Sequence, residues 1–287
     1  MSEPPGTLFV VATPIGHRED ISARALGILQ AVDLIAAEDT RHSALLLTHF
    51  GIRTPMVSLH EHNERASGAA LIRKLELGTS IALISDAGTP GISDPGTILV
   101  NEVLQKGIRV VPVPGPSALT ALMSVSGFGD RPFLFQGFLP AKSVARLRAL
   151  AALKSLQATL VFYESPHRIY DSMADMKEVL GETRVVVIGR ELTKQFETVH
   201  RTTLAEALPW LEQDPNHQRG EFVLAVEGAS TEATADVAIH DAFLLALMEK
   251  LSISDSVRIA MLATGLGRKV LYARALELSG KTSRENC

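Results

Sequence analysis

Two loops carry the residues of this sequence that are best suited to binding and chemistry. The first loop runs from Asp86 to Gly96 and combines two carboxylates, Asp86 and Asp94, with three glycines. Glycine lets the main chain approach a ligand closely, and proline restricts a loop before binding. The loop therefore suits a small ligand with a cationic centre. The alternative is a plain turn in which Asp94 caps the next helix, but this leaves the segment Asp86-Ala87-Gly88-Thr89-Pro90 unexplained.

The position of these loops also indicates a binding site. The first follows the apolar run Ile81–Ile84, and the second, Pro112–Ser117, follows Arg109–Val111. Such runs predict buried parallel strands, and open α/β sheets bind ligands at the carboxyl ends of their strands. We therefore expect the two loops to form one ledge for one small molecule. A third loop, Thr13–Gly16, predicts by itself only a strand-to-helix turn.

Several other kinds of site are excluded by the sequence. It contains neither Gly-x-Gly-x-x-Gly nor Gly-x-x-x-x-Gly-Lys, so NAD and nucleoside triphosphates are poor candidates. The one cysteine, Cys287, excludes a disulfide framework and a thiolate metal cluster. His60 and His62 would share one face of an extended strand. Because no third ligand stands at a recognisable spacing, we expect no metal.

Composition predicts a globular protein of more than one domain. The chain has 287 residues, of which 46% are hydrophobic, and a formal net charge of −4. A negative net charge argues against non-specific coating of nucleic acid, although two basic clusters, Lys142–Lys154 and Arg268–Arg274, allow local contacts. Each cluster is equally consistent with a solvated helix face. The sequence shows neither a signal peptide nor a membrane-spanning run, and we expect a cytoplasmic protein.

Hydrophobic patterning predicts an α/β fold with two α/β domains and a small C-terminal helical appendage. The first domain spans residues 1–127, with a helix over Ile21–Ala31 capped by Asp20. The second spans residues 128–228 and carries a sheet that mixes parallel and antiparallel pairs, because some of its strands are too close in sequence for a crossover helix. The predicted strands are Leu8–Ala12, Leu34–Ala37, Met56–Leu59, Ile81–Ser85, Arg109–Val113, Phe133–Phe135, Ala158–Tyr163, Val185–Gly189, Thr198–Arg201 and Phe222–Glu227.

The C-terminal region reads as a linker followed by helices. Residues 229–240 are predicted to be the linker, and residues 241–287 the helical appendage. Helical spacing places one helix in each of Asp241–Leu251, Asp255–Thr264 and Lys269–Leu278, with Gly265-Leu266-Gly267 as a turn. The last two helices are consistent with a helix-turn-helix that binds nucleic acid or with an inert packing unit.

Nine ordered motifs between residues 6 and 228 resemble one protein family. They are similar to the motifs of the ribosomal RNA small subunit methyltransferase I family, within the tetrapyrrole-methylase-like, class III S-adenosylmethionine-dependent enzymes. The motifs are Thr13-Pro14-Ile15-Gly16, Ala37-Glu38-Asp39-Thr40-Arg41, His60-Glu61-His62-Asn63-Glu64, Ser85-Asp86-Ala87-Gly88-Thr89-Pro90, Val113-Pro114-Gly115-Pro116-Ser117, Gly137-Phe138-Leu139-Pro140, Phe162-Tyr163-Glu164-Ser165, Arg190-Glu191-Leu192-Thr193-Lys194 and Gly220-Glu221-Phe222.

The resemblance implies a methyl donor, S-adenosylmethionine, bound in the cleft between the two domains. It further implies 2′-O-methylation of a decoding-centre cytidine of 16S rRNA within the assembled small subunit, and a homodimer. His17 departs from the asparagine that is usual in the family and is expected to alter the entrance to the cleft. The donor-binding positions implied for this chain are Pro14, Asp86, Ala87, Gly88, Ile92, Ser117, Ala118, Phe162, Leu192, Gly220, Glu221 and Phe222.

Methyl transfer to a ribose hydroxyl needs alignment and a proton acceptor but no metal. Glu164 is the first candidate for the general base and His60 the second. Each has a structural alternative, because Ser165-Pro166 after Glu164 is typical of a helix start, and His60 can simply form a hydrogen bond. Four cations near the predicted cleft are candidates for holding the RNA backbone, or for ion pairs with Glu38, Glu164 and Glu191; they are Arg41, Arg168, Arg190 and Lys194.

Two alternative functions remain open from the sequence. A methyltransferase of this fold could act on a tetrapyrrole, a corrinoid or porphyrin intermediate, because a fold does not determine its substrate. A non-enzymatic regulator could instead sense S-adenosylmethionine and bind nucleic acid through the terminal helices. The net negative charge makes independent duplex binding by such a regulator doubtful.

Overall fold

The computed structural model describes residues 6–60, 64–129, 131–230 and 237–282. The chain divides into two compact units, residues 1–228 and residues 229–287. The first unit contains both sheets and both binding loops, and the second is helical. None of the described helices is long and apolar enough to cross a membrane.

The first sheet is parallel throughout. Its strands follow the order β3-β2-β4-β1-β5, and every recorded pairing is parallel. The Val, Ile, Leu and Ala runs are buried on both faces because helices cover both sides of the sheet. The strands are β1 (Thr7–Val11), β2 (Leu34–Ala37), β3 (Met56–Ser58), β4 (Ile81–Ile84) and β5 (Arg109–Val113); the helices are α1 (Ala23–Ala31), α2 (Thr40–His49), α3 (Glu64–Glu76), α4 (Thr97–Gln105) and α5 (Ala118–Ser126).

The second sheet is mixed, as the sequence predicts. Its order is β6-β7-β10-β8-β9, in which only β6 and β7 run parallel. One face is covered by three helices that follow β6, β7 and β9. The strands are β6 (Phe133–Phe138), β7 (Thr159–Glu164), β8 (Val185–Arg190), β9 (Thr198–Thr203) and β10 (Phe222–Val226), and the helices are α6 (Ser143–Leu153), α7 (Ile169–Leu180) and α8 (Leu204–Gln213).

Helix α5 covers the other face of the second sheet. Its Leu122 is fully buried in a cluster with Val161, Val187 and Val223, which belong to three strands of that sheet. The guanidinium of Arg201 on β9 donates to the carbonyl of Ser126 at 2.7 Å, at the end of α5. The predicted boundary at residue 127 thus coincides with the change of sheet, while the helix before it packs on the sheet that follows. This packing joins residues 1–228 into one unit.

Helix α1 begins at a different residue from the one predicted. The hydroxyl of Ser22, not the carboxylate of Asp20, accepts the cap hydrogen bond, from the backbone N–H of Ala25 at 3.1 Å. Asp20 lies in a preceding turn of 3₁₀ helix. Both residue types cap well, and the sequence offered two of them within three positions.

The helical unit contains α9 (Val237–Met248), α10 (Ile253–Thr264) and α11 (Arg268–Thr282). The three helices surround a small core in which Val257, Ala260, Leu271 and Ala275 are buried. All three predicted helices are confirmed, with earlier starts. Because α9 begins at Val237, the last four residues of the predicted linker, 237–240, belong to a helix. Residues 231–236 of that linker lie outside the described part of the chain.

Candidate active site

Two adjoining chambers open where the carboxyl ends of the first sheet face the second sheet. The first chamber has a volume of about 340 Å³ and the second about 450 Å³. They share the residues Ile15, Ala87, Lys194 and Glu221. The first is lined by residues 87–89, 92–94 and 117–118 together with residues of β6, β7, β8, β10 and their loops; the second is lined by residues 14–16, by Arg18, by one side of α2 and by residues 85–87.

The three loops of the first sheet are joined by backbone hydrogen bonds. Thr13 and Gly88 exchange two backbone hydrogen bonds, of 2.8 and 3.0 Å, and so form an isolated β-bridge. The hydroxyl of Thr89 donates to the carbonyl of Pro116 at 3.1 Å, which ties the first loop to the second. Gly88 has φ +83°, a conformation that an L side chain rarely adopts. These hydrogen bonds join the loops that the sequence predicts to form one ledge.

The far end of the first loop is fixed by a carboxylate from a distant helix. Helix α4 has no side-chain cap of its own, because its N-cap is Gly96 with φ +118°. Instead, Oε1 of Glu64 accepts from the backbone N–H groups of Gly96, Ile98 and Leu99 at 3.0, 2.9 and 3.2 Å. Glu64 is buried, so three N–H groups that would lack intrahelical partners are satisfied away from water.

Carboxylates concentrate around the first loop. Burial, followed by the charges of Glu38 and Asp86, raises the pKa of Asp94 to about 6 even though Ser85 donates a hydrogen bond to it. Burial and the neighbouring carboxylates of Asp86 and Asp39 also raise the pKa of Glu38. Like charges held this close favour a cationic ligand, which would relieve their repulsion. The carboxylate of Asp94 lines the first chamber.

The second sheet contributes Lys194, which lines both chambers and pairs with two carboxylates. The ammonium of Lys194 donates to Glu191 at 2.9 Å and to Glu221 at 2.8 Å. Burial alone would lower the pKa of Lys194, but these two carboxylates raise it overall. Glu191 has φ +49°, and a Cβ on Gly16 would lie 2.5 Å from Cγ of Lys194. The loop after β1 and the loop after β8 are therefore in close contact.

Eight of the twelve predicted donor-binding residues line the first chamber: Ala87, Gly88, Ile92, Ser117, Ala118, Leu192, Glu221 and Phe222. Pro14 and Asp86 instead line the second chamber. Gly220 lies at a separate surface pocket beside Arg219, where a Cβ would come within 2.4 Å of Glu191. The role of Gly220 in this structure is to make room for the Glu191 side chain.

Phe162 requires a correction. Its side chain is 0% exposed and packs in the core between β7 and helices α6 and α7, away from both chambers. Tyr163, the next residue, lines the first chamber. Successive side chains of a strand point to opposite faces of the sheet, so a shift of one residue exchanges core and chamber.

Neither predicted general base is placed in an obvious way to act. The carboxylate of Glu164 is 1% exposed and accepts from Ser165 N at 2.8 Å, from Ser172 Oγ at 2.6 Å and from Arg168 at 3.4 Å. It thus holds the start of α7, as the structural alternative predicts, although the residue also contributes to the wall of the first chamber. His60 is half-buried two residues beyond β3, at the edge of the first sheet.

Of the four predicted RNA-binding cations, only Lys194 lines the two chambers. Arg41 is 91% exposed in its side chain and pairs with Asp39. Arg168 pairs with Glu164 and donates to the carbonyl of Leu139. Arg190 is buried and donates to the carbonyls of Arg219 and Phe196. Three further residues line the chambers without having been predicted from the sequence: Arg18, His42 and Tyr163, the last of which adjoins Phe162. Asp94, one of the two carboxylates predicted to suit a cationic ligand, lines the first chamber.

Within the described residues, no group of three or more His, Cys, Asp or Glu side chains is arranged to hold a metal ion. His62 lies outside those residues. The cleft offers two chambers of ligand size, each lined by charged side chains.

A family match identifies the class of protein to which this fold belongs. Residues 7–208 match the family of Tetrapyrrole (Corrin/Porphyrin) Methylases. Among solved structures, the methyltransferase CobJ aligns over 78% of this chain and 95% of its own, with a TM-score of 0.58 and 16% identity. A uroporphyrin-III-C-methyltransferase from Thermus thermophilus aligns over 77% and 94%, with a TM-score of 0.55 and 20% identity. At such identities the likeness establishes the fold, and the predicted fold class is confirmed.

The particular family follows from closer relatives. A ribosomal RNA small subunit methyltransferase I from Pseudomonas aeruginosa is 48% identical over 96% of this chain and 99% of its own length. The protein of that name from Escherichia coli O157:H7 is 48% identical over 96% of each chain. Residues 233–279 match the RsmI C-terminal HTH domain. The chain belongs to the ribosomal RNA small subunit methyltransferase I family, and it is a methyltransferase whose methyl donor is S-adenosylmethionine.

Proposed function

We propose that the protein transfers a methyl group from S-adenosylmethionine to the 2′-hydroxyl of a decoding-centre cytidine of 16S rRNA, within the assembled small ribosomal subunit. The observation that carries this proposal is the 48% identity to small-subunit methyltransferases over almost the whole of both chains. The geometry supports it, because a chamber of the size of a small donor adjoins a second, larger chamber.

The first chamber fits the donor in size and in chemistry. Its volume of about 340 Å³ lies within the range of small-molecule sites. The residues that would hold the donor are the main chain of Ala87 and Gly88 and the side chains of Ile92, Asp94 and Leu192. When bound, S-adenosylmethionine supplies an electrophilic methyl group on a positively charged sulfur. The ionised Asp94 would offset that charge.

The contribution of the chain to the reaction is mainly alignment. The Thr13–Gly88 bridge and the Thr89–Pro116 hydrogen bond fix the loops before binding, so little ordering remains to be done when the ligand enters. Holding two reactants in the correct orientation is worth up to about 7–11 kcal/mol in favourable cases. Apolar residues such as Ile15, Leu192 and Val223 line the chamber.

The tetrapyrrole alternative is supported by the broad family match over residues 7–208 and by the fold, but not by the more similar relatives. The solved tetrapyrrole methyltransferases are 16–20% identical to this chain, against 48% for the ribosomal RNA methyltransferases. The alternative of a non-enzymatic regulator is not favoured, because the similar relatives are named as methyltransferases.

The proposal is tested by supplying labelled S-adenosylmethionine with one of three acceptors: small ribosomal subunits, naked 16S rRNA, or a corrinoid precursor. We expect label in the subunits, mapped by nuclease digestion to one 2′-O-methylcytidine. Labelling of the corrinoid without labelling of either RNA would overturn the proposal and favour the tetrapyrrole alternative.

Two further elements belong to the same proposal. The enzyme acts as a homodimer in the cytoplasm, where its subunit substrate is found, and light scattering after size exclusion would measure the oligomeric state. The helical unit assists binding to the ribosomal subunit, as its match to a helix-turn-helix domain suggests. Removal of residues 229–287, which form a separate compact unit, should weaken subunit binding and leave donor binding intact.

A further inference from the structure

The second chamber has no assigned ligand. It adjoins the first chamber, with which it shares the lining residues Ile15, Ala87, Lys194 and Glu221. A methyl group can be transferred only to an atom that reaches the donor, so the acceptor must bind beside the first chamber. The second chamber satisfies this requirement, and its volume of about 450 Å³ is larger than that of the first.

The walls of the second chamber combine apolar and polar side chains. Leu45 on α2 lines it with a side chain that remains 65% exposed, so its apolar surface is available to a partner. The carboxylate of Asp86 also lines it, and its Oδ1 accepts from the backbone N–H of Asp39 at 3.1 Å. A nucleobase likewise combines apolar faces with a polar edge. A fixed carboxylate accepts well from an exocyclic amino group such as that of cytosine.

An open groove continues from the second chamber to the surface. The two spaces share Gly16, Arg18 and Lys194, and the groove adds His17, His49 and Gln195. Glu19 is the carboxylate on this path. Because Lys194 is already paired with two carboxylates, Arg18 is the cation best able to meet a phosphate there.

We propose that the second chamber holds the acceptor nucleotide of the RNA, unstacked from its neighbours, with its base against Leu45 and its flanking phosphate at Arg18. This inference rests on the proposed function. Sequence-specific RNA recognition favours unpaired nucleotides whose bases are splayed out, which is the form that a chamber of this size admits. It assigns Asp86 to the acceptor rather than to the donor.

The test uses two variants of the full-length protein and a matched control for each. Leu45→Trp fills the second chamber from an exposed helical position, and its control Leu104→Trp alters an exposed leucine on α4. Arg18→Ala removes the groove cation, and its control Arg53→Ala removes an exposed cation from the loop before β3. Three quantities are measured: the Kd for S-adenosylmethionine by calorimetry, the Kd for small subunits by direct binding, and the kcat and KM of methyl transfer.

We expect Leu45→Trp to lower kcat/KM for subunits about tenfold or more while its donor Kd stays within twofold of wild type. Arg18→Ala should weaken subunit binding several-fold and reduce the slope of log affinity against log salt by about 1. Both controls should match wild type. A Leu45→Trp protein with unchanged kcat/KM overturns the inference while the proposed function stands. A wild-type protein that binds the donor but methylates no RNA overturns the proposed function and the inference with it.

Discussion

The carboxylate of Glu64 gives the sharpest quantitative prediction, because one side chain satisfies three backbone donors of another helix. Its Oε1 accepts from the N–H groups of Gly96, Ile98 and Leu99 at 2.9–3.2 Å, at the point where the first loop ends and α4 begins. The perturbations are Glu64→Ala, which removes the acceptor, and Glu64→Gln, which keeps an oxygen acceptor and removes the charge.

The magnitude follows from the number of donors and their burial. The hydrogen bonds to Gly96 and Leu99 are buried and the one to Ile98 is partly buried. A hydrogen bond to a charged group contributes about 1.5–3 kcal/mol, and a buried donor left without a partner costs about 1–3 kcal/mol. Since the three bonds share one oxygen, we expect a total loss of about 3–5 kcal/mol for Glu64→Ala. For Glu64→Gln we expect about 1–2 kcal/mol, the value of a charge at a helix N-terminus.

The assay combines urea unfolding with hydrogen exchange of the amides of Ile98 and Leu99. Both amides should exchange faster in Glu64→Ala than in wild type, with Glu64→Gln in between, and the donor Kd should rise in the same order because the first loop loses its anchor. Exposed Glu76→Ala on the same helix is the control. A loss below about 1 kcal/mol in Glu64→Ala, or equal losses in the Ala and Gln variants, would refute the reasoning.

Three more predictions concern residues of the first chamber and the glycine beside Glu191. Glu164→Gln should lower the free energy of unfolding by about 2–4 kcal/mol, because it disturbs a buried hydrogen-bond network. It should leave kcat nearly unchanged. A fall in kcat of about 10²–10⁴-fold at unchanged stability would instead identify Glu164 as the general base. The pKa of Asp94, about 6 in the folded protein against 3.8 for a free aspartate side chain, means that its ionisation destabilises the empty fold as pH rises from about 4 to 6 and that the cost persists above pH 6. Asp94→Asn should therefore stabilise the empty protein at pH 7 by on the order of 1–3 kcal/mol and remove the rise in donor affinity between pH 5 and 7, as differential scanning fluorimetry and calorimetry would show; a wild-type donor Kd that does not change with pH would contradict this. Gly220→Ala should lower the melting temperature, because its Cβ would meet Glu191 and its φ is +89°, and melting at the wild-type temperature would exclude that clash.

The sheets were predictable from the sequence because buried strands are short runs of Val, Ile and Leu. All ten predicted strands form, and the mixed second sheet follows from the close spacing of β8 and β9. The local sequence pattern could not show which of Phe162 and Tyr163 faces the first chamber and which faces the core. Strand β7 is covered on both faces, so apolar residues occupy both sides and alternation gives no signal.

Neither the positions of the cationic side chains nor the capping of α4 by Glu64 could be predicted from local sequence. Arg190 stands in a motif with Lys194, yet the strand turns its guanidinium to backbone carbonyls while the loop brings Lys194 to the chambers. Glu64 and Gly96 are 32 residues apart, so nothing near either residue indicates their hydrogen bond. Such contacts depend on how distant loops meet, which hydrophobic periodicity does not encode.

The packing of α5 has a consequence for dividing this protein into fragments. A cut after residue 127 would separate the two sheets. It would also leave Leu122 on the N-terminal piece and its apolar partners Val161, Val187 and Val223 on the C-terminal piece. The first fragment would then expose the apolar face of α5 to solvent, and in the second fragment one face of the second sheet would lose the helix that covers it. A split reporter built on this scaffold would join the two halves spontaneously through that helix, whereas a cut before α5 would keep the helix with the sheet it covers.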